Sequence, residues 1–218
     1  ELQLTQEVTI ESLGTLAEYR DPETGGHIKR TQNYVRVLAE HLKKHPNYES
    51  YLDEQTINLL YKSAPLHDVG KVGVPDKILH KPGKLEPEEF EEMKKHTIYG
   101  FNAMKRAELK LGFNSFLKLA GEIAYTHQEK WDGSGYPQGL SGENIPISGR
   151  LMAIADVYDA LISKRVYKPP FSHEKAVALI KEGRGSHFDP AMVDVFLEIA
   201  EQFREIAIHY ADYAEERE

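Results

Sequence analysis

Apolar side chains recur three and four positions apart along almost the whole chain, and no stretch alternates strongly enough to propose a strand. That periodicity restricts the architecture to helix packed on helix, so the 218 residues are expected to form a single all-α domain. A chain of this length can bury about 70% of its unfolded surface, which makes disulfides or a structural metal unnecessary for folding. A first helix is expected over residues 2 to 19, then a polar hinge "RDPETGG" whose Thr24 can cap a second helix from His27 to Lys44. Asp53 is expected to cap a third, "EQTINLLYKSAPLHD", with a kink or a local break at Pro65 and a stop at Gly70. "VGVPDKILHKPGKL" carries two prolines and no sustained period, so it reads as loop with at most one helical turn. Further helices are expected over 86 to 109, 114 to 127, 147 to 163 and 173 to 183, and from 190 to the C-terminus. A loop rich in Gly spans Gln128 to Pro146.

Composition excludes several functions. The chain has no Cys, so thiolate zinc sites, a disulfide framework and a Cys nucleophile are out, and a reducing, cytoplasmic setting is expected. The longest apolar run, "LMAIA", is too short to span a bilayer, and no secretory signal opens the chain. A net charge of −8 argues against a nucleic-acid polymer as ligand, because phosphate neutralisation supplies most of that affinity. A phosphate ligand would need a local positive site, and bound metal ions provide one. The chain starts inside an amphipathic pattern, where Leu2, Leu4, Val8 and Ile10 need a partner surface; it is therefore expected to be a piece of a longer protein.

Polar residues in apolar places are the functional signal. His67 and Asp68 follow an apolar helical face, where an Asp at the negative helix end is unfavourable unless a cation compensates it. Asp156 is flanked by apolar residues in "LMAIADVYDAL", and a buried carboxylate must be protonated, paired or bound to metal. Alone, Asp156 could equally pair with Arg150. Glu23 and His27 share a face at a helix start, His96 lies within a helix and His127 ends another. Packing or surface roles suffice for His41, His45, His80, His173, His187 and His209. Imidazole and carboxylate together suit Fe, Mn, Ni or Zn, and a bridging carboxylate suits two metals sharing a water.

"RDPETGGH", "LHDVGKVGVPDKILHKPGKL", "HQEKWDGSGYP", "RLMAIADVYDAL" and "RVYK" together resemble the HD-GYP family, helical metal-dependent phosphodiesterases of bacterial cyclic di-GMP signalling, in order and spacing from about residue 19 to 190. The resemblance implies an HD-superfamily domain over 21–218, preceded by a leading helix over 1–20. It further implies two divalent transition metals (Fe²⁺, Mn²⁺ or Ni²⁺) held by His27, His67, Asp68 and Asp156, with Asp68 bridging and His96 and His127 on the second ion. Glu23 matches an acid that helps bind a third ion in some members. The family usually has His after the position of His127; Gln128 departs from that pattern, and a weaker neutral donor there implies two metals rather than three.

The resemblance also assigns Lys71, Asp159, Arg165 and Lys168 to substrate. Lys71 and Arg165 suit phosphate, and Asp159 suits a guanine edge or a supporting role. Tyr136, within the Gly135–Tyr136–Pro137 turn, is expected to line the cleft or to dock a partner, diguanylate cyclase domains included. The implied reaction is hydrolysis of a 3′–5′ phosphodiester of cyclic di-GMP to pGpG, with GMP from a second hydrolysis; linear pGpG is the alternative preferred substrate. Two rival readings are an HD-type phosphohydrolase acting on a nucleoside phosphate, and a degenerate sensor that binds without turnover. Relatives with a similar beginning imply an upstream phosphoryl-accepting receiver domain.

Overall fold

The computed structural model describes residues 2–18, 20, 26–111, 116–164 and 169–211, with the side chains of 2–4, 6, 18 and 111 set aside. Ten α-helices follow in chain order among the described residues: α1 (Leu2–Glu18), α2 (Gly26–Leu42), α3 (Glu54–Ser63), α4 (Asp76–Leu79), α5 (Pro87–Leu111), α6 (Phe116–Thr126), α7 (Ile147–Ile162), α8 (His173–Glu182), α9 (Pro190–Glu198) and α10 (Ala200–His209). Among the described residues there is no strand, only an isolated bridge between Arg184 and Phe188.

The core forms where apolar stripes meet. On α2, Tyr34, Val35, Leu38 and Leu42 recur at helical spacing and are fully buried. They pack on α7, whose Leu151, Met152, Ile154, Ala155 and Tyr158 are buried on several faces, as a central helix requires. Tyr34 stacks on Phe203 at 4.6 Å, and Tyr158 meets Tyr34, Phe196 and Phe203 edge-on at 5.2, 5.7 and 5.3 Å. Helix starts follow capping chemistry. Asp53 accepts the Thr56 N–H at 2.7 Å, and Asp189 accepts that of Ala191 at 2.9 Å beside Pro190.

One expectation from periodicity is met and one is corrected. The kink or local break expected at Pro65 is a break: α3 ends at Ser63, because proline has no N–H to continue the ladder. A 3₁₀ turn (Ala64–Leu66) follows, then a second over Val69–Gly73, and His67 and Asp68 lie between the two. The last expected helix breaks at Ile199 (φ −114°), which separates α9 from α10. Ile199 is buried, and Phe196 and Phe203 on either side of the break both face the core, with ring centres 4.9 Å apart.

α1 packs on this body through Ile10, Gly14 and Ala17, with Ile10 clustered on Leu66 and Ala120. Val8, Leu13 and Leu16 stay more than half exposed on its other face. Arg20 then donates to the Val72 carbonyl, to that of Val74 at 3.3 Å, and pairs with Asp76 at 2.5 Å.

Candidate metal centre and active site

Four helices and the turn between the two 3₁₀ segments deliver six ligand-type side chains to one point. His27 comes from the first turn of α2, Asp156 from α7, and His67 and Asp68 from the turn. His96 comes from the middle of α5 and His127 from the residue after α6. Gly70 makes the convergence possible. A Cβ there would lie 1.9 Å from the His96 carbonyl oxygen and 2.5 Å from the Gly100 nitrogen, so any side chain would push α5 away from Asp68.

The six residues form two adjoining sets, His27–His67–Asp156 and Asp68–His96–His127. In the first, the Nε2 atoms of His27 and His67 are 3.4 Å apart and lie 4.0 and 3.9 Å from Asp156 Oδ1. In the second, Asp68 Oδ1 is 3.2 Å from His96 Nε2 and 3.4 Å from His127 Nε2. Asp68 Oδ2 turns the other way, 3.4 Å from His67 Nε2 and 2.7 Å from Lys71 Nζ. Asp68 is thus shared by both sets.

The opposite ring edges decide what these atoms can do. His67, His96 and His127 donate Nδ1–H to the carbonyls of Ala64 (2.9 Å), Met93 (2.8 Å) and Ile123 (3.1 Å). His27 donates Nδ1–H to Asp159 Oδ2 at 2.8 Å. A neutral imidazole that donates from Nδ1 carries a lone pair on Nε2. Lone pairs therefore face lone pairs: Asp68 Oδ1, His96 Nε2 and His127 Nε2 are buried and close, yet none makes a hydrogen bond. A buried polar atom left unsatisfied costs about 1–3 kcal/mol. A cation resolves all three at once, and the donors fit divalent metals that take imidazole and carboxylate.

The electrostatics divide: burial outweighs Asp68 at His127 and lowers it, whereas at His67 burial is outweighed by the charges of Asp68 and Asp156, which raise it. Burial pushes the Asp68 carboxyl up, but Lys71, His67 and His127 outweigh it and hold the group well below the usual carboxylate range. Burial lowers His127, which favours the neutral ligand form. Beneath His27, Asp159 is clamped by Arg30 through Nε–Oδ1 (2.6 Å) and Nη2–Oδ2 (3.0 Å). Burial pushes Asp159 up, yet Arg30 and His27 bring it down to about 2.

Of the two roles expected for Asp159, a guanine edge or a supporting role, its placement fits the second. The carboxylate is buried, and both its oxygens are occupied by His27, Arg30 and, at 3.2 Å, Ser163. It holds the ring of His27, a candidate ligand, and has no oxygen left for a guanine edge. Arg150 pairs with Asp189 at 2.7 Å and leaves Asp156 to the metal-type set. Gln128 is half-buried, and its backbone carbonyl accepts the Tyr136 N–H at 3.1 Å. Glu23, Arg165 and Lys168 lie outside the described residues.

Sequence reasoning overlooked Arg30 and Glu129. Arg30 could have been found, since it shares the α2 face of His27, Thr31 and Tyr34. Glu129 is buried and accepts the N–H groups of Gln138 (2.8 Å) and Leu140 (3.0 Å), nine and eleven residues on, a closure that no local pattern announces. It folds the 128–146 loop back on itself. Gly135 is required there: a Cβ would lie 2.3 Å from the Lys130 nitrogen. Tyr136 is held over the centre, edge-on to His96 at 6.3 Å, and burial followed by the Asp68 charge raises its hydroxyl.

A family model described as "HD domain" matches residues 11–192. The chain belongs to the HD-domain family. It is 61% identical over 98% of its length to a cyclic di-GMP phosphodiesterase of Vibrio cholerae and 54% identical over 97% to a probable one, covering 44% and 48% of those proteins. A cyclic di-GMP phosphodiesterase response regulator of Xanthomonas campestris is 37% identical over 94% of the chain, which covers 51% of it. The chain thus spans about half the length of these curated relatives. Two solved structures share the fold. A cyclic GMP-AMP specific phosphodiesterase of V. cholerae has TM-score 0.59 and 18% identity over 97% of this chain and 52% of its own. An HD-G"Y"P protein of Bdellovibrio bacteriovorus has TM-score 0.56 and 19% identity over 90% and 63%. No helix among the described residues is long and apolar enough to cross a membrane.

Proposed function

We propose that this domain is a metal-dependent phosphodiesterase that hydrolyses cyclic di-GMP to pGpG, with GMP from a second cleavage. The observation that carries the reading is the pair of adjoining His and Asp sets meeting at Asp68, with Asp68 Oδ1, His96 Nε2 and His127 Nε2 buried and unsatisfied. The names of the relatives supply the substrate. His27, His67 and Asp156 would hold one divalent ion and His96 and His127 the other, with Asp68 between them and Fe²⁺, Mn²⁺ or Ni²⁺ as candidates. When bound, such ions supply Lewis-acid polarisation of the phosphoryl group and a nucleophile at neutral pH.

The chain's own residues supply the rest. The Lys71 ammonium, 2.7 Å from Asp68 Oδ2, is the cation nearest the shared carboxylate and would stabilise charge on a phosphoryl oxygen there. Asp159 and Arg30 fix the His27 ring, and Glu129 fixes the loop that carries Tyr136 over the cleft. Arg165 and Lys168 are proposed as further phosphate contacts, and Gln128 and Glu23 as weak ligands at most. The outer face of the Gly135–Pro137 turn is the proposed docking surface for cyclase domains.

The domain is further proposed to act in the cytoplasm as the output of an upstream receiver. The Arg20 contacts support this coupling, since they tie the end of α1 to the turn bearing Lys71. Incubation of the domain with cyclic di-GMP and Mn²⁺ or Fe²⁺, with pGpG and GMP resolved by chromatography, tests the activity. Product formation that chelation abolishes is expected; absence of turnover with either metal would leave the sensor reading, which rests on Gln128.

A further inference from the structure

One large aromatic on the face of α5 that meets Tyr136 has no place in the core. Phe90 is 43% exposed among Glu88, Glu89, Glu91 and Glu92. Its ring meets Tyr136 edge-on at 5.9 Å and 85°, and Tyr136 in turn meets the ligand-type His96 at 6.3 Å and 85°. One turn after Phe90, the Lys94 ammonium lies 5.0 Å from the Phe90 ring centre and 5.6 Å from that of Tyr136, tied to Glu91 at 2.6 Å. A continuous ledge therefore leads from the metal centre to solvent: imidazole, phenol, exposed phenyl, with a cation fixed above the two outer rings.

We infer that Phe90 is a stacking face for the purine base of the bound nucleotide, with Tyr136 and Lys94 as its support. The inference rests on the phosphodiesterase reading, which puts a phosphate at the centre and sends the attached nucleoside outward along the cleft. An exposed phenyl face adjoining a buried polar centre is suited to a ligand that is anionic at one end and flat and aromatic at the other. The surrounding acids do not repel such an anion at full strength, because Glu89 is paired with Lys81 at 2.5 Å, Glu91 with Lys94 and Glu92 with Lys95. Neither Phe90 nor Lys94 is a candidate metal ligand, so they would set affinity for the base and leave the metals alone.

GMP is a monoester that a phosphodiesterase leaves intact, and ribose 5-phosphate is its counterpart without a base. Calorimetric titration of the Mn²⁺-loaded full chain with each ligand separates the base from the phosphate. The wild type is expected to bind GMP more tightly than ribose 5-phosphate. Phe90→Ala should weaken GMP about tenfold and leave ribose 5-phosphate within about twofold, and Phe90→Trp should restore GMP. Equal binding of the two ligands by wild type, no change in Phe90→Ala, or a parallel loss of both ligands would each overturn the inference. GMP binding that depends on Phe90 in a protein that fails to cleave cyclic di-GMP would uphold the stacking face and sink the phosphodiesterase reading instead.

Discussion

The two halves of the metal centre are supported differently. His27, in the half with His67 and Asp156, is steered by a buried charged pair, Asp159 with Arg30, that reaches across 129 residues of sequence. His96 and His127, in the half with Asp68, are steered only by carbonyls of their own helical turns, three or four residues earlier. A charged partner raises ligand basicity and fixes the ring more firmly than a carbonyl does. The first half is therefore expected to hold its ion the more tightly, and the second to respond more to a change at Gln128, the residue after His127.

Asp68 belongs to both halves, and its loss should erase the contrast. Asp68→Ala is expected to reduce phosphodiesterase turnover at least about a thousandfold, as removal of a catalytic metal does. Elemental analysis of the same variant should show both ions gone. Full metal content with lost activity would mean that Asp68 acts on substrate alone.

Arg30→Ala attacks the first half through its support. It leaves the Asp159 charge buried without its cation, a change expected to cost about 3–5 kcal/mol of folding stability in denaturant titration. A milder approach titrates the same pair. Asp159 has a folded pKa of about 2 against an ordinary 3.8, so its contribution is complete above the unfolded value and is lost as pH falls through the folded one. Metal-free wild type should lose about 2 kcal/mol relative to Asp159→Asn between pH 4 and pH 2. A stability difference independent of pH over that window would contradict the buried pair.

Gln128→His sharpens the comparison from the other side. A further imidazole beside His127 is expected to tighten the weaker of two ions about tenfold in a metal titration and leave the stronger unchanged. Unchanged affinity at both would mean that Gln128 faces away from the centre.

The sequence exposed the ligand-type residues more readily than their supports. His67 and Asp68 stood out because an acid ending an apolar helix needs a reason, and Asp156 because its neighbours are apolar. Asp159 was just as visible as a carboxylate, but its partner Arg30 lies on another helix and only packing shows which way it turns. The helical class followed from periodicity alone. The break at Ile199 did not, because apolar spacing continues through it, with Phe196 and Phe203 seven residues apart on one side just as in an unbroken helix. Glu129 was hidden too, with its N–H partners contributed by a loop whose path is tertiary.

Two ions sharing Asp68 is the claim from which the rest follows, and anomalous X-ray scattering from crystals of the Mn²⁺-loaded domain tests it most directly. Two peaks about 3.5–4 Å apart are predicted. One should be contacted by His27, His67 and Asp156, the other by His96 and His127, with the Asp68 carboxylate between them. A single peak, or two peaks that do not share Asp68, would contradict the account.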